Sequence, residues 1–429
     1  MGAPGVKDER TLHGCSALWS LLRPLTPVRV LQLHNRYRQS GGEDVVVEVE
    51  RELLERHGHR VELLEVSNTE IDSFYDRVRS AFAAVYSPAA RARVAAHVRS
   101  FRPDVVHVHN FFPLFSPSVY YACREAGVPV VQTLSNYRLI CPNGQLFRSG
   151  RPCEDCVGRK VAWPGVLHGC YRGSRLGTAA VAAMESAHRW LGTWSGAVDC
   201  FIALTEFAKA TFVEGGLPEE KIVVKPNFVP DPGDPGDGRG GFALFVGRLS
   251  PEKGIATLLS AWKHARSSIR LKVVGDGPLA GEVAQAAGGS IEYLGAQPRE
   301  RILTWMRDAA FLVFPSVCYE GLPMVIVEAF SVGLPVIASN LGSMASLVEH
   351  GRTGLHFRPG DAVDLAAKIE WARAHPDEMA QMRREARAEY LAKYTPEKNY
   401  QMLMEIYHLV TGRYNGPHSG FCASQNAGV

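Results

Sequence analysis

Two glutamates and two cations in the C-terminal half have the types and spacing for joint chemistry. Glu320 and Glu328 are separated by seven residues, across a Gly-Leu-Pro turn that is predicted to open a helix. Arg248 and Lys253 lie in another predicted strand-to-helix turn, Gly-Arg-Leu-Ser-Pro-Glu-Lys-Gly. Guanidinium groups bind phosphate oxygens bidentately, ammonium groups add a point charge, and helix N-termini attract anions. The pattern favours a site for phosphate and vicinal hydroxyls. The alternatives are solvated surface cations and an internal salt bridge of Glu328.

Four cysteines lie close together in the N-terminal half: Cys141, Cys153, Cys156 and Cys170. The Cys-x-x-Cys pair resembles a zinc knuckle, so the four thiols could hold a structural Zn²⁺, with His168 as an alternative fourth ligand. Four reduced thiols in a loop-rich insertion are an equally weighted interpretation. A chain of this length with an odd number of cysteines, nine, argues against a disulfide framework.

The same segment is locally basic and contains tryptophan. Six cations outnumber two acidic residues, and three tryptophans lie within or just beyond the segment: Arg148, Arg151, Arg159, Lys160, Arg172 and Arg175, with Trp163, Trp190 and Trp194. This composition suits a membrane surface or a lipid-diphosphate acceptor. A solvated charged loop is the slightly preferred alternative.

Strand-like runs and helix-period segments alternate through both halves of the chain. The predicted strands are 28–33, 61–66, 103–109, 130–134, 201–204, 221–225, 242–246, 270–274, 290–293, 311–314 and 336–338. Helices are predicted between them, and Ser250 is predicted to cap the helix that begins at Pro251. This alternation indicates βαβ units, and it predicts two doubly wound α/β domains with a site at the carboxyl ends of the strands.

Composition excludes some classes of protein. The 429 residues fit two domains, and a net charge of only +3 provides no overall field for nucleic acid. No apolar run reaches the roughly 18–20 residues that a membrane-spanning helix needs. We therefore expect a cytoplasmic protein, with no nucleic-acid partner.

Ordered motifs now add a resemblance. The chain contains Gly-Arg-Leu-x-x-Glu-Lys-Gly, then Val-Gly-Asp-Gly-Pro, Glu-Gly-Leu-Pro followed by Glu-Ala, and Gly-Leu-Pro-Val-Ile-Ala. In this order they resemble the retaining glycosyltransferases of family four, over roughly residues 28–410. The resemblance implies the GT-B fold, in which two Rossmann-like domains face each other across a cleft.

Composition and the order of the motifs together predict the domain boundaries. An N-terminal tail, 1–26, precedes an acceptor-side domain, 27–229, which carries the cysteine-containing insertion at about 138–175. A Pro/Gly-rich linker, 230–241, leads to a nucleotide-sugar-binding domain, 242–395. A C-terminal helix, 396–414, is predicted to pack back on the N-terminal domain, and a tail, 415–429, follows it.

The resemblance also implies residue roles. Arg248 and Lys253 would stabilise the diphosphate leaving group, Glu328 would bind the donor ribose, and Glu320 would contact the transferred sugar. The N–H groups of Gly321 and Leu322 would assist near the sugar or phosphate. No catalytic metal is expected, because side-chain cations take its place.

Four positions of the N-terminal half complete this comparison. Gly41 and Gly42 would form a glycine loop that lets the backbone approach the donor phosphate. His109 matches the active-site histidine of the family, with a satisfied strand-end histidine as the alternative. Ser135 stands where the family often has histidine, so any contact of that histidine is in doubt.

The activity implied is transfer of a hexosyl or N-acetylhexosaminyl group with retention of configuration. The donor would be a UDP-sugar, or next GDP-mannose, and the acceptor a saccharide, a lipid-linked molecule or a natural product. Contact with the inner face of the membrane is compatible with this activity. A non-enzymatic nucleotide-sugar-binding protein is the alternative, and an NAD-dependent oxidoreductase is the least favoured because the glycine fingerprint is incomplete at Ala280.

Overall fold

The computed structural model describes residues 27–37, 41–70, 74–265 and 269–413. The predicted tails, 1–26 and 415–429, lie outside the described residues. The strands are β1 (Arg29–Arg36), β2 (Arg60–Ser67), β3 (Val105–Asn110), β4 (Val130–Leu134), β5 (Phe147–Arg148), β6 (Arg151–Pro152), β7 (Cys200–Ala203), β8 (Ile222–Val224), β9 (Phe242–Val246), β10 (Arg270–Val274), β11 (Ile291–Tyr293), β12 (Phe311–Phe314), β13 (Val336–Ser339) and β14 (Gly354–Phe357).

Helices follow most of these strands. They are α1 (Gly42–Arg56), α2 (Phe74–Val85), α3 (Pro88–Phe101), α4 (Ser118–Glu125), α5 (Trp163–His168), α6 (Arg175–Trp190), α7 (Thr193–Gly196), α8 (Glu206–Glu214), α9 (Ile255–His264), α10 (Ala280–Ala286), α11 (Arg299–Asp308), α12 (Met324–Ser331), α13 (Gly342–Leu347), α14 (Ala362–Ala374), α15 (Pro376–Lys393) and α16 (Pro396–Val410).

Twelve strands form two six-stranded sheets, one in each half of the chain. Their orders are β2-β1-β3-β4-β7-β8 and β11-β10-β9-β12-β13-β14, and the neighbours in each sheet run parallel. The strands are mostly buried runs, because helices cover both faces of each sheet. The prediction of two doubly wound α/β domains is confirmed.

The last helix, α16, packs against the N-terminal sheet. Leu403 and Tyr407 are fully buried in one cluster with Val30, Val131 and Ile202. The Tyr407 hydroxyl lies 2.8 Å from Nδ1 of His107 on β3. The chain therefore crosses to the C-terminal sheet and returns, so that its end contributes to the core of the first domain.

The crossing segment between β8 and β9 has no helix or strand, and α15 holds it. Arg387 pairs with Asp231 at 2.9 Å, and the Tyr390 hydroxyl donates to the carbonyl of Val229 at 3.0 Å. Arg307 of α11 also donates to the carbonyl of Pro232 at 2.7 Å, so side chains of two helices fix the segment against the C-terminal domain.

One local prediction was wrong. Ser250 does not cap a helix at Pro251, because its hydroxyl donates to the Glu252 carboxylate at 2.6 Å. A single 3₁₀ turn follows, and α9 begins only after Gly254, which has a left-handed φ of 72°. Among the described residues, no helix has the length and apolar character needed to cross a membrane.

Candidate active site

The two motif loops of the C-terminal domain meet at the ends of β9 and β12. Nζ of Lys253 lies 2.7 Å from Oε1 of Glu320, and Ser316 donates to the same oxygen at 2.7 Å. Both charged side chains are largely buried. The structure therefore brings together a cation and a carboxylate that are 67 residues apart in sequence.

Backbone contacts fix the distance between these loops. The N–H of Val317 donates to the carbonyl of Glu252 at 2.9 Å. A Cβ built on Gly254 would lie 1.9 Å from the carbonyl oxygen of Pro315. Only glycine permits this approach, and it also adopts the left-handed backbone of the turn. The spacing between Lys253 and Glu320 is thus built into the chain.

The pair is charged. Burial opposes the charge of Lys253, but the Glu320 carboxylate outweighs it and raises the pKa of the ammonium. Burial likewise opposes ionisation of Glu320, while Lys253 and Ser316 lower the pKa of that carboxyl below its usual value. The site therefore presents a buried ion pair at neutral pH.

The other two predicted C-terminal residues lie in different surroundings. Glu328, on α12, pairs with Arg299 of α11 at 3.2 Å. Burial raises the pKa of Glu328, and Arg299 opposes that rise. Arg248 is exposed and has no ion-pair partner within the described residues. Arg248 is therefore accessible to an anion, whereas Glu328 already has a cationic neighbour.

The N-terminal domain contacts this site directly. The Tyr137 hydroxyl donates to the carbonyl of Glu320 at 3.4 Å. A Cβ built on Gly321 would lie 2.9 Å from the carbonyl oxygen of Ser135. The N–H groups of Gly321 and Leu322 donate to no protein acceptor among the described residues. The predicted backbone donors therefore lie at the boundary between the two domains.

The glycine pair also faces the other domain. Gly41 and Gly42 stand at the start of α1, and both are exposed. A Cβ on Gly42 would lie 3.8 Å from Cγ of Met324, the first residue of α12. The N-termini of α1 and α12 thus approach each other, and both offer the N–H groups that bind anions.

His109 is buried in a charged network below this boundary. Its Nε2 lies 3.2 Å from Oε1 of Glu50, and the His107 ring is tilted against it at 33°, with centroids 4.0 Å apart. Glu50 also contacts Nδ1 of His107 at 3.0 Å and Nζ of Lys225 at 3.5 Å. Burial and the nearby His107 lower the pKa of His109 to about 4, although Glu50 opposes this. The ring is therefore neutral at pH 7.

Sequence reasoning missed Glu50 and Arg299. Burial opposes ionisation of Glu50, but His107, His109 and Lys225 hold the pKa of its carboxyl well below normal. A signal for Glu50 was present, since it lies on the buried face of α1 between Val47 and Leu53. Arg299 begins α11 without any motif, and only the fold brings it to Glu328.

The cysteines lie elsewhere in the N-terminal domain. All four line one small cavity, together with Pro142, Asn143, Phe147, Arg148 and Gly165. His168 is exposed and does not line the cavity, whereas all four cysteines do, and which of these groups would hold a zinc ion stays a prediction.

Two parallel-sheet domains with a charged site between them define the GT-B class of glycosyltransferases. The model for the glycosyl transferase 4-like domain matches residues 27–227, and the model for glycosyl transferases group 1 matches residues 241–374. The two matches together span most of the chain. The chain belongs to the group 1 glycosyltransferases, with a 4-like N-terminal domain, and the predicted resemblance is confirmed.

Curated relatives match over part of their length. An uncharacterised glycosyltransferase of Methanocaldococcus jannaschii is 31% identical over 39% of this chain and 47% of its own length. A lipopolysaccharide 1,2-N-acetylglucosaminetransferase of Salmonella typhimurium is 32% identical over 38% of this chain and 46% of its own length. The chain thus spans about half the length of the curated relatives it matches.

Solved structures match over nearly the whole fold. HepE of Anabaena in complex with UDP has a TM-score of 0.63 at 19% identity, over 88% of this chain and 99% of that chain. A glycosyltransferase of Rickettsia africae has a TM-score of 0.65 at 16% identity, over 91% of this chain and all of that chain. These likenesses agree with the GT-B fold.

Proposed function

We propose that this chain transfers a hexosyl or N-acetylhexosaminyl group from a UDP-sugar to an acceptor, with retention of the anomeric configuration. The buried Lys253–Glu320 pair at the domain boundary carries the proposal. A donor diphosphate would take the Lys253 ammonium as a partner and free Glu320 to accept from sugar hydroxyls. UDP is favoured over GDP because HepE, a protein of this fold, was solved with UDP and with UDP-glucose.

The residues around this pair divide the work of binding. Exposed Arg248 supplies positive charge for phosphate oxygens, and backbone N–H groups in the first turns of α1 and α12 can donate to them. The ammonium of Lys253 stabilises negative charge that grows on the leaving diphosphate as the sugar–phosphate bond breaks. Because these cations are part of the chain, we propose that transfer needs no catalytic metal.

Glu328 is assigned to the donor ribose. Its carboxylate is half-buried and held by a single Arg299 contact, which leaves further oxygen lone pairs for vicinal hydroxyls. Glu320 precedes α12 and Glu328 lies within it. A donor whose sugar contacts Glu320 and whose ribose contacts Glu328 would therefore extend along the N-terminal part of this helix. The nucleoside and the sugar would therefore lie at different depths along one helix.

We propose that the acceptor lies at a membrane surface and is either a lipid-linked molecule or a saccharide carried on a lipid. Large apolar side chains of α5 and α6 are exposed, with Trp190 at 88%, Leu176 at 86% and Trp163 at 55%. The Arg159 guanidinium lies 5.4 Å above the Trp163 ring. Exposed tryptophan beside arginine suits an anionic lipid interface. Trp194 takes no part, because it is buried against Phe111 and Tyr120.

A donor screen tests the activity. Unfolding temperature is measured with UDP-sugars and GDP-mannose, and a donor at about 100 times its Kd should add about 2.7 kcal/mol of stability. Release of UDP is then followed with lipid-linked and free acceptors, without added Mg²⁺ or Mn²⁺. Donor binding without turnover on any acceptor would favour the alternative of a non-enzymatic nucleotide-sugar-binding protein. A requirement for a divalent metal would contradict the metal-free mechanism.

A further inference from the structure

The four cysteines reach one cavity from separate parts of the insertion. Cys141 follows β4, Cys153 and Cys156 follow the β5–β6 hairpin, and Cys170 follows α5. Cys141 is buried and the others are half-buried. Nothing in the proposed transfer reaction uses them.

The local backbone is shaped around these thiols. The hairpin turns through Ser149 and Gly150, both with positive φ, and the N–H of Cys153 donates to the carbonyl of Leu146 at 2.8 Å. The N–H of Cys170 donates to the carbonyl of Gly165 at 3.0 Å. A Cβ built on Gly165 would lie 3.4 Å from Sγ of Cys156, so the helix passes close to the sulfur.

We propose that Cys141, Cys153, Cys156 and Cys170 bind one Zn²⁺ in a closed structural site. A hairpin followed by Cys-x-x-Cys supplies two ligands from one turn, and two more distant cysteines complete a tetrahedron. No three of the four sulfurs lie within 4.8 Å of one another. Tetrahedral zinc thiolates need sulfurs about 3.8 Å apart, so the loops contract around the ion when it binds.

The surrounding charges fit such a site. Zinc with four thiolates carries two negative charges, and Arg148 lines the cavity. Arg148 also pairs with Asp155 of the knuckle at 2.5 Å. The closed set leaves no position for water, so the ion would order the loops and take no part in transfer.

The site would also stabilise one wall of the active site. The N–H of Cys141 donates to the carbonyl of Tyr137 at 2.9 Å, and the Tyr137 hydroxyl reaches the Glu320 carbonyl. Burial and the nearby Glu154 carboxylate of the knuckle raise the pKa of Tyr319, the neighbour of Glu320. Zinc would therefore fix two contacts beside the sugar-binding carboxylate.

Metal content of the purified full-length chain is the first test. We expect about one equivalent of zinc without added metal. Replacement of zinc by Co²⁺ should give the intense visible absorption of a tetrahedral thiolate site. Both measurements use the wild-type chain and need no activity, so they are independent of the proposed transfer reaction.

Variants locate the ion. Cys153→Ser with Cys156→Ser should remove the zinc and the cobalt spectrum, whereas Cys123→Ala, a buried core cysteine outside the cluster, should retain both. In the wild type, peptide mapping should show the four cluster thiols protected from alkylation until a chelator is added. A folded wild-type chain without metal, or a disulfide among these cysteines, would overturn the proposal.

Discussion

The ammonium of Lys253 and the carboxylate of Glu320 form a 2.7 Å ion pair between two loops of the C-terminal domain. Each group stabilises the charged form of the other, although burial opposes both charges. An anionic donor therefore enters a site in which the Lys253 ammonium is already charged and positioned. Such preorganisation is the main route by which charged side chains lower a reaction barrier.

Lys253→Ala should lower kcat by about 10²–10³ because the growing charge on the diphosphate loses its ammonium. The matched control is Lys272→Ala, which removes a lysine paired with Glu292 at the same 2.7 Å in the same domain. Steady-state kinetics with a saturating donor measures both variants, and circular dichroism confirms the fold. A wild-type kcat in folded Lys253→Ala protein would contradict the phosphate assignment.

Glu328→Ala should mainly raise the donor KM, because a carboxylate that binds ribose contributes equally to the ground and transition states. Hydrogen bonds to charged groups contribute about 1.5–3 kcal/mol, which corresponds to a rise of about 10-fold or more. Glu300→Ala, at an exposed position of α11, is the control. An unchanged KM with a reduced kcat would assign Glu328 to the reacting sugar instead.

The product should keep the anomeric configuration of the donor. This expectation comes from the family resemblance and not from any distance in the site. Proton NMR of the fresh product, recorded before mutarotation of any free sugar, reads the anomeric coupling directly. An inverted linkage would show that the chain follows a different mechanism from the one its family implies.

His109 gives a stability prediction with a defined sign. Its folded pKa is about 4, below the 6.5 of the unfolded chain, so the unfolded state takes up a proton first as the pH falls. Stability should therefore decrease between about pH 6.5 and pH 4. His109→Gln should flatten this dependence, which urea unfolding midpoints across that range would measure. An unaltered slope in the variant would mean that His109 titrates normally in the folded protein.

Sequence reasoning found the elements better than the contacts between them. The motif loops were predicted because strand ends and helix starts leave local signals such as Pro323 in the Gly-Leu-Pro turn. The partner of Glu328 was not, because Arg299 precedes it by 29 residues without a pattern. The role of Ser250 was misread, since a Ser-Pro pair starts a helix in many chains but here its hydroxyl reaches the Glu252 carboxylate. Which groups pair across a domain is decided by the packing of the whole chain.

Glu185 should make the folded protein less stable as the pH rises. This glutamate of α6 is buried, and one of its carboxylate oxygens has no partner among the described residues. Burial raises the pKa of its carboxyl to about 8, against the lowering effect of Arg138 and Arg189. Above the unfolded value of about 4.5, the unfolded chain loses this proton while the folded chain keeps it, so stability falls as the pH rises towards 8.

Glu185→Gln should remove that penalty. As the pH rises from 5 to 8, the free energy of unfolding of the variant should increase by about 3 kcal/mol relative to that of the wild type. This value follows from about 1.4 kcal/mol per pKa unit. Urea unfolding at both values measures it, and Glu206→Gln, at an exposed position of α8, is the control. Equal pH dependence in Glu185→Gln and wild-type protein would mean that Glu185 ionises in the folded chain, with Arg138 or Arg189 compensating its charge.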